Sequence, residues 1–267
     1  MRPCRSFYQH DPVPLARALL GQRLVRVLNH HRLAGTIVEV EAYLGIRDKA
    51  AHTCNGRRTP RNESMWGEGG HAYVYFTYGM HHCLNVVAST AGDPVAVLIR
   101  ALEPTEGIEH MYRHRKPARR DSDLCSGPAK LCQALKIDRE LDGEDLVKSG
   151  GLFIEQVRRS PLPASRVATG PRIGVSYADE WADKPLRFFI KDNIHVSKPR
   201  MPPGVPPPPT PRCPGPPPPR PHPPTGGRPA DPRTHHRYPL DPTPLAAHRH
   251  HGRTVRVATA DARRAGS

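Results

Sequence analysis

Residues 72–88 read AYVYFTYGMHHCLNVVA. Aromatic and β-branched residues crowd both halves, and Gly79 and Met80 interrupt them in the middle. The stretch therefore predicts a β-hairpin with strands over 72–78 and 81–88 and a tip of two to four residues. Tyr78 falls at that tip. Upstream, residues 22–28 and 33–43 read as two further strands joined by a polar turn over 29–32. Alternation in the second strand puts Val38, Val40 and Ala42 on one face and Ile37, Glu39, Glu41 and Tyr43 on the other. Ahead of them, Asp11 and Pro12 resemble a helix start, Leu15, Ala16, Leu19 and Leu20 share a face, and Gly21 supplies a stop. Downstream, residues 95–99 are apolar on both faces, as in a central buried strand, and end at Arg100, a charge that needs a partner. Helices are expected over 106–115 and 127–136, the second capped by Ser126 with Pro128 in its first turn. Short strands are expected over 152–156, 172–176 and 186–191. No repeat period is visible and helices fall irregularly among the strands. The expectation is α+β: one mixed domain with a curved, mainly antiparallel sheet, flanking helices and a protruding hairpin.

Composition limits this domain. The chain has 267 residues and 33 prolines, of which 21 fall after residue 198. Residues 1–198 are expected to form the compact domain and 199–267 a low-complexity, disordered tail, because its Pro/Arg/His mixture cannot bury a core. The formal charge is +15. Eleven arginines against three aspartates give the tail +8, which leaves +7 for the domain. A polyanionic partner is implied, with nucleic acid ahead of acidic lipid. No apolar run approaches the ~20 residues of a membrane helix. The start carries charges and no apolar leader, so the expected location is the cytoplasm, or the nucleus in a nucleated cell. The six cysteines lack zinc-knuckle spacing and are expected as reduced thiols.

Two constellations carry chemistry. Glu39 and Glu41 share a strand face beside Tyr43, with His52 soon after; a carboxylate, a phenol and an imidazole together suit acid–base work on a flat substrate. The alternative is a pair of ordinary solvent-facing strand residues. In the polar segment 45–70, Arg57, Arg58 and Arg61 precede Tyr73, Tyr75 and Tyr78. Guanidinium groups hold phosphates and rings stack on bases, although tyrosines also simply fill sheets. Neither the His71, His81, His82, Cys83 group nor the helical pair His110 and His114 has the spacing of a metal site. A Gly-rich phosphate loop and a serine nucleophile elbow are also missing from the sequence.

Eight ordered strings go beyond composition: ARALLGQRLVR (16–26), IVEVEAYLG (37–45), AAH (50–52), TPRN (59–62), YVYFTYGMHHCLN (73–85), VLIRALEP (97–104), LCSGPAKLCQAL (124–135) and KPLRFFI (184–190). Together they closely resemble the alkyladenine (3-methyladenine, methylpurine) DNA glycosylase family, from about residue 14 to 197. The resemblance implies a monofunctional glycosylase of base excision repair. Such an enzyme works without metal or organic cofactor, as a monomer, on double-stranded DNA containing a damaged purine. It further implies Glu41 as general base, Arg100 as its partner in holding the attacking water, and the Ile173 carbonyl as a third water contact. Tyr43, His52 and Tyr75 match the residues that sandwich the extruded base, Asn85 the one that disfavours guanine, and Tyr78 the side chain that fills the gap left in the duplex. Arg57, Arg58, Arg61 and Lys130 are candidate phosphate contacts. His81 and His82 stand where well-known mammalian relatives carry aromatic residues. A non-catalytic DNA-binding or damage-sensing module with the same fold is the rival.

Overall fold

The computed structural model describes residues 1–197; the proposed boundary at 198/199 and everything expected of 199–267 lie outside the described residues. The elements are α1 (Pro12–Leu19), β1 (Arg23–Leu28), β2 (His31–Tyr43), β3 (Ala72–Thr77), β4 (His81–Val87), β5 (Ala96–Glu106), α2 (Ile108–His114), α3 (Asp121–Leu124), α4 (Pro128–Ala134), β6 (Leu152–Glu155), β7 (Val167–Gly170) and β8 (Arg187–Ile190). The architecture is mixed α+β. Its sheet runs β3-β4-β5-β2-β1-β6, with β8 pairing β2 and β7 pairing β8, and these pairings are all antiparallel.

β2 organises the fold. Its first half pairs with β1 and its last third with β8, while β5 follows its other edge. The strict alternation expected along β2 fails at one place. Ile37 pairs with Leu102, Glu39 with Ala101 and Val40 with Ile99, so Val38 is an extra residue on one strand and Arg100 an extra residue on the other. Bulges of this kind bend strands and re-aim side chains. Ile37 and Val38 consequently both join the main core, whereas alternation had set them on opposite faces.

Several expected boundaries shift. The strand expected to end at Arg100 continues to Glu106. The four-residue turn over 29–32 shortens to Asn29 and His30, both with positive φ, as a two-residue hairpin turn requires. Gln22 lies outside β1, its amide nitrogen donating to the Ala18 and Arg158 carbonyls and its amide oxygen accepting from Val157 N. Gly127, not Ser126, precedes α4, because Ser126 is held in an isolated bridge with Ala101. No strand forms over 172–176; β7 ends before it, at Gly170, and the following residues form a loop tied down by Arg172. Sequence periodicity also gave no sign of the single-turn α3.

The segment 45–70, read as polar in the sequence, nevertheless buries Asp48, Thr53 and Asn62. Each has partners, and Thr53 donates to the Pro94 carbonyl at 3.2 Å. Asp48 accepts from Leu44 N and Ala50 N and forms a bidentate pair with Arg172 at 2.6 and 2.9 Å. Asn62 donates to the carbonyls of His52 and Arg57. Buried polar side chains thus hold this loop in shape together with the buried Ala50 and Met65.

Candidate active site

The end of β2, the β3–β4 hairpin, mid-β5 and the loop after β7 surround a cavity of about 310 Å³. Tyr43, His52, Tyr73, Tyr75, Tyr78, Cys83, Asn85, Leu98, Arg100 and Ile173 contribute to its wall. All of the pocket residues singled out in the sequence, apart from Glu41 itself, line this one space.

Glu41 is not solvent-facing; its accessibility is 0%. It sits directly behind the wall, and all three of its partners line the cavity. Oε1 accepts from Ile173 N at 2.7 Å and lies 3.2 Å from Arg100 Nη1, while Oε2 accepts from the Tyr43 hydroxyl at 3.0 Å. β2's pleat explains the Tyr43 contact, because residues two apart share a face. The Arg172–Asp48 pair explains the Ile173 contact. It anchors the loop at residue 172, and Arg172 also donates to the Ala42 and Trp181 carbonyls. The same guanidinium lies 4.7 Å from the Tyr43 ring centre, backing it from behind. Ile173's described bond thus runs from its amide to Glu41.

Glu39 behaves differently. Its Oε1 accepts from Arg100 Nε at 3.0 Å, Arg187 Nε at 2.7 Å and Ser197 Oγ at 2.9 Å, and its Oε2 accepts from Ser197 N at 2.6 Å. Four donors thus converge on Glu39, three of them on Oε1, whereas the three groups around Glu41 all belong to the cavity wall. Arg100 lies between the two carboxylates. Burial alone would lower its pKa, but the charges of Glu41 and Glu39 outweigh that and raise it.

The aromatic wall is largely neutral. His52 Nδ1 is 2.7 Å from the Tyr73 hydroxyl, and its ring stands edge-on to Tyr75 with centroids 4.6 Å apart. Burial, and then the positive charges of Arg61 and Arg57, lower the His52 pKa to about 4. The ring is therefore uncharged at neutral pH. Burial also pushes the phenols of Tyr43 and Tyr75 well above their usual range, with Glu41 adding to the effect at Tyr43. Asn85 Nδ2 donates to the Tyr73 carbonyl at 3.0 Å, which fixes the orientation of its amide.

At the rim, Tyr78 is 85% exposed at φ +50°, with Met80 70% exposed two residues on. Arg61 donates to the Phe76 carbonyl at 2.8 Å and lies over Tyr75, pinning segment 45–70 to the hairpin. Arg58 is committed to Glu63, whereas Arg57 is exposed and makes no ion pair among the described residues. Lys130 lies on α4 near Ser126 Oγ at 3.5 Å. His110 stacks on His31, and His114 Nδ1 is 2.8 Å from the Ala134 carbonyl.

Sequence reasoning missed Tyr177, a 66% exposed ring on the cavity wall whose hydroxyl donates to Ala50 O. It also missed Ser197. The string RIGVSY, residues 172–177, looked like an alternating strand and hid Tyr177; Ser197 offered no signal.

Comparisons with known proteins point the same way. The sequence profile of the Methylpurine-DNA glycosylase family matches residues 6–194. The human protein named DNA-3-methyladenine glycosylase is 48% identical over 203 residues, covering 72% of this chain and 66% of its own length. The mouse protein of the same name is 47% identical over 204 residues, or 72% of this chain and 60% of its own. A relative from Clostridium acetobutylicum is 46% identical over 204 residues, covering 74% of this chain and 98% of its own. The chain belongs to the methylpurine-DNA glycosylase family.

Proposed function

We propose that the protein is a monofunctional DNA glycosylase, acting as a monomer on double-stranded DNA. Its proposed targets are alkylated or deaminated purines of the 3-methyladenine, 7-methylguanine, hypoxanthine and ethenoadenine type. The observation that carries this reading is a fully buried carboxylate, Glu41, held by Ile173 N, Tyr43 and Arg100 immediately behind an aromatic cavity. A purine inside a duplex is out of reach of such a cavity, so the nucleotide is extruded, at a cost of a few kcal/mol that is least for a damaged or poorly paired base.

In the proposed reaction, water enters between Arg100 and Ile173 and passes a proton to Glu41 while its oxygen bonds to the sugar C1′. The N-glycosidic bond breaks and the base leaves with the bonding electrons. The positive charge that develops on the sugar lies near the Glu41 carboxylate. No donor among the described residues reaches the Ile173 carbonyl, which leaves it available to the water. Tyr43, Tyr75 and the neutral His52 take the base between them. Because His52 is uncharged, an electron-poor or cationic base meets no repulsion there. Asn85 crowds the exocyclic amine of guanine and biases the pocket toward adenine-type lesions. Tyr78 enters the minor groove and fills the space the nucleotide vacates.

The reading is tested by incubating the full chain with a duplex carrying one hypoxanthine or ethenoadenine. Abasic sites should form, and the strand should break only after alkali. Strand cleavage without alkali would contradict the monofunctional mechanism, and absence of abasic sites on every lesion would favour the binding-module rival.

A further inference from the structure

We infer that Glu39 and Ser197 are positioning residues that set the angle of Arg100 and, through it, the contact between Arg100 and Glu41. The inference rests on the proposed roles of Glu41 and Arg100. Its starting point is the bulge. Pairing of β2 with β5 passes from Ala101 to Ile99 and skips Arg100, so the ladder does not hold this residue as it holds its neighbours. The direction of the guanidinium must come from its partners.

Those partners are fully assigned. Nε donates to Glu39 Oε1 at 3.0 Å, Nη1 faces Glu41 Oε1 at 3.2 Å and Nη2 donates to Ser197 Oγ at 3.4 Å. A guanidinium is planar, and fixing Nε and Nη2 therefore fixes where Nη1 points. Ser197 closes the arrangement: its Oγ and N both donate to Glu39, and Arg187 holds the same carboxylate from β8. Glu39, itself held by Arg187 and Ser197, anchors Arg100 through Nε. Two carboxylates and two guanidiniums lie in one buried cluster, with Glu39, Glu41, Arg100 and Arg187 each at most 6% exposed. Ser197 lies 156 positions beyond Glu41 in sequence, yet only Arg100 separates it from the proposed base.

Single-turnover base release by saturating full-length protein, together with Kd for the same lesion duplex, tests the inference on Ser197→Ala and Ser197→Thr, with Glu41→Gln as reference. Misplacing a catalytic group by a fraction of an ångström to 1 Å costs on the order of 10- to 100-fold in rate. Ser197→Ala is expected to slow base release by about 10-fold on that scale, leave Kd within about twofold, and be restored by Ser197→Thr, which returns the hydroxyl. Glu39→Gln should be slower still; if it does not fold, Ser197→Ala keeps the inference falsifiable. A wild-type rate in Ser197→Ala alongside an inactive Glu41→Gln would overturn it. So would a loss of rate that merely follows weakened binding and is not recovered by threonine. Full activity in Glu41→Gln would overturn the base assignment itself, and this inference with it.

Discussion

At the scale of single residues, two glutamates two positions apart have different surroundings: Glu41 is held by groups of the cavity wall, and Glu39 by Arg187 and Ser197, with Arg100 between the two. That Glu41 and Tyr43 share a face was legible in the alternation of β2, and their hydrogen bond follows from it. The setting of Glu39 was not legible, since it depends on Arg187 and Ser197 from the far end of the domain and on a bulge that no local pattern marks. The Ile173 contact was likewise hidden, because it depends on the buried Asp48–Arg172 pair. His52 yields a pH prediction. Its pKa is lowered from 6.5 to about 4 in the folded protein. Above pH 6.5 the ring is neutral in both states and its contribution is fully present. As pH falls from 6.5 to 4 the unfolded chain takes up the proton first, and that contribution is lost. The difference in Tm between wild type and His52→Gln should therefore change between pH 7 and pH 4, in the direction that disfavours wild type at low pH. A constant difference across that range would contradict a neutral His52.

At the scale of elements, the hairpin was the most legible feature, because strong β-formers flank a turn at the expected place. Tyr78 there has a positive φ, a backbone state that costs a residue with a Cβ about 1–2 kcal/mol. A strained, exposed aromatic ring does nothing for the core, which favours the proposed use on DNA. Tyr78→Gly should leave stability unchanged or raise it by about 1 kcal/mol, while weakening lesion-duplex binding by about 1–3 kcal/mol. Urea melts and binding titrations read both numbers; unchanged binding would count against insertion at the tip. The strand expected over 172–176 fails for a physical reason. Residues 172–176 alternate like a strand, yet Arg172 spends its donors on Asp48 and on the Ala42 and Trp181 carbonyls, so a buried ion pair and not a ladder sets the backbone.

At the scale of the whole molecule, that ion pair joins the segment after β2 to the loop after β7, two walls of the same cavity. Removing one partner leaves a buried charge unmatched, and Asp48→Asn is expected to lose about 3–5 kcal/mol of stability by urea denaturation, with base release falling as Ile173 loosens. A loss near zero would mean that the loop is held by other contacts. The basic balance noted in the sequence becomes specific here: Arg57 is unpaired among the described residues whereas Arg58 is bound to Glu63. Arg57→Ala should lower the slope of log K against log salt by about 1, and Arg58→Ala by less. Equal slopes for both variants would remove the distinction. Any shortened chain made to examine residues 199–267 should retain Ser197, because ending at Val196 deletes a donor to Glu39. The proposed activation of the attacking water by Glu41 can be read from single-turnover base release on a hypoxanthine duplex, wild type against Glu41→Gln. A positioned general base contributes on the order of 10²- to 10⁴-fold, so the variant should bind the duplex and release base slower by that factor; comparable abasic-site formation by the two proteins would contradict the account.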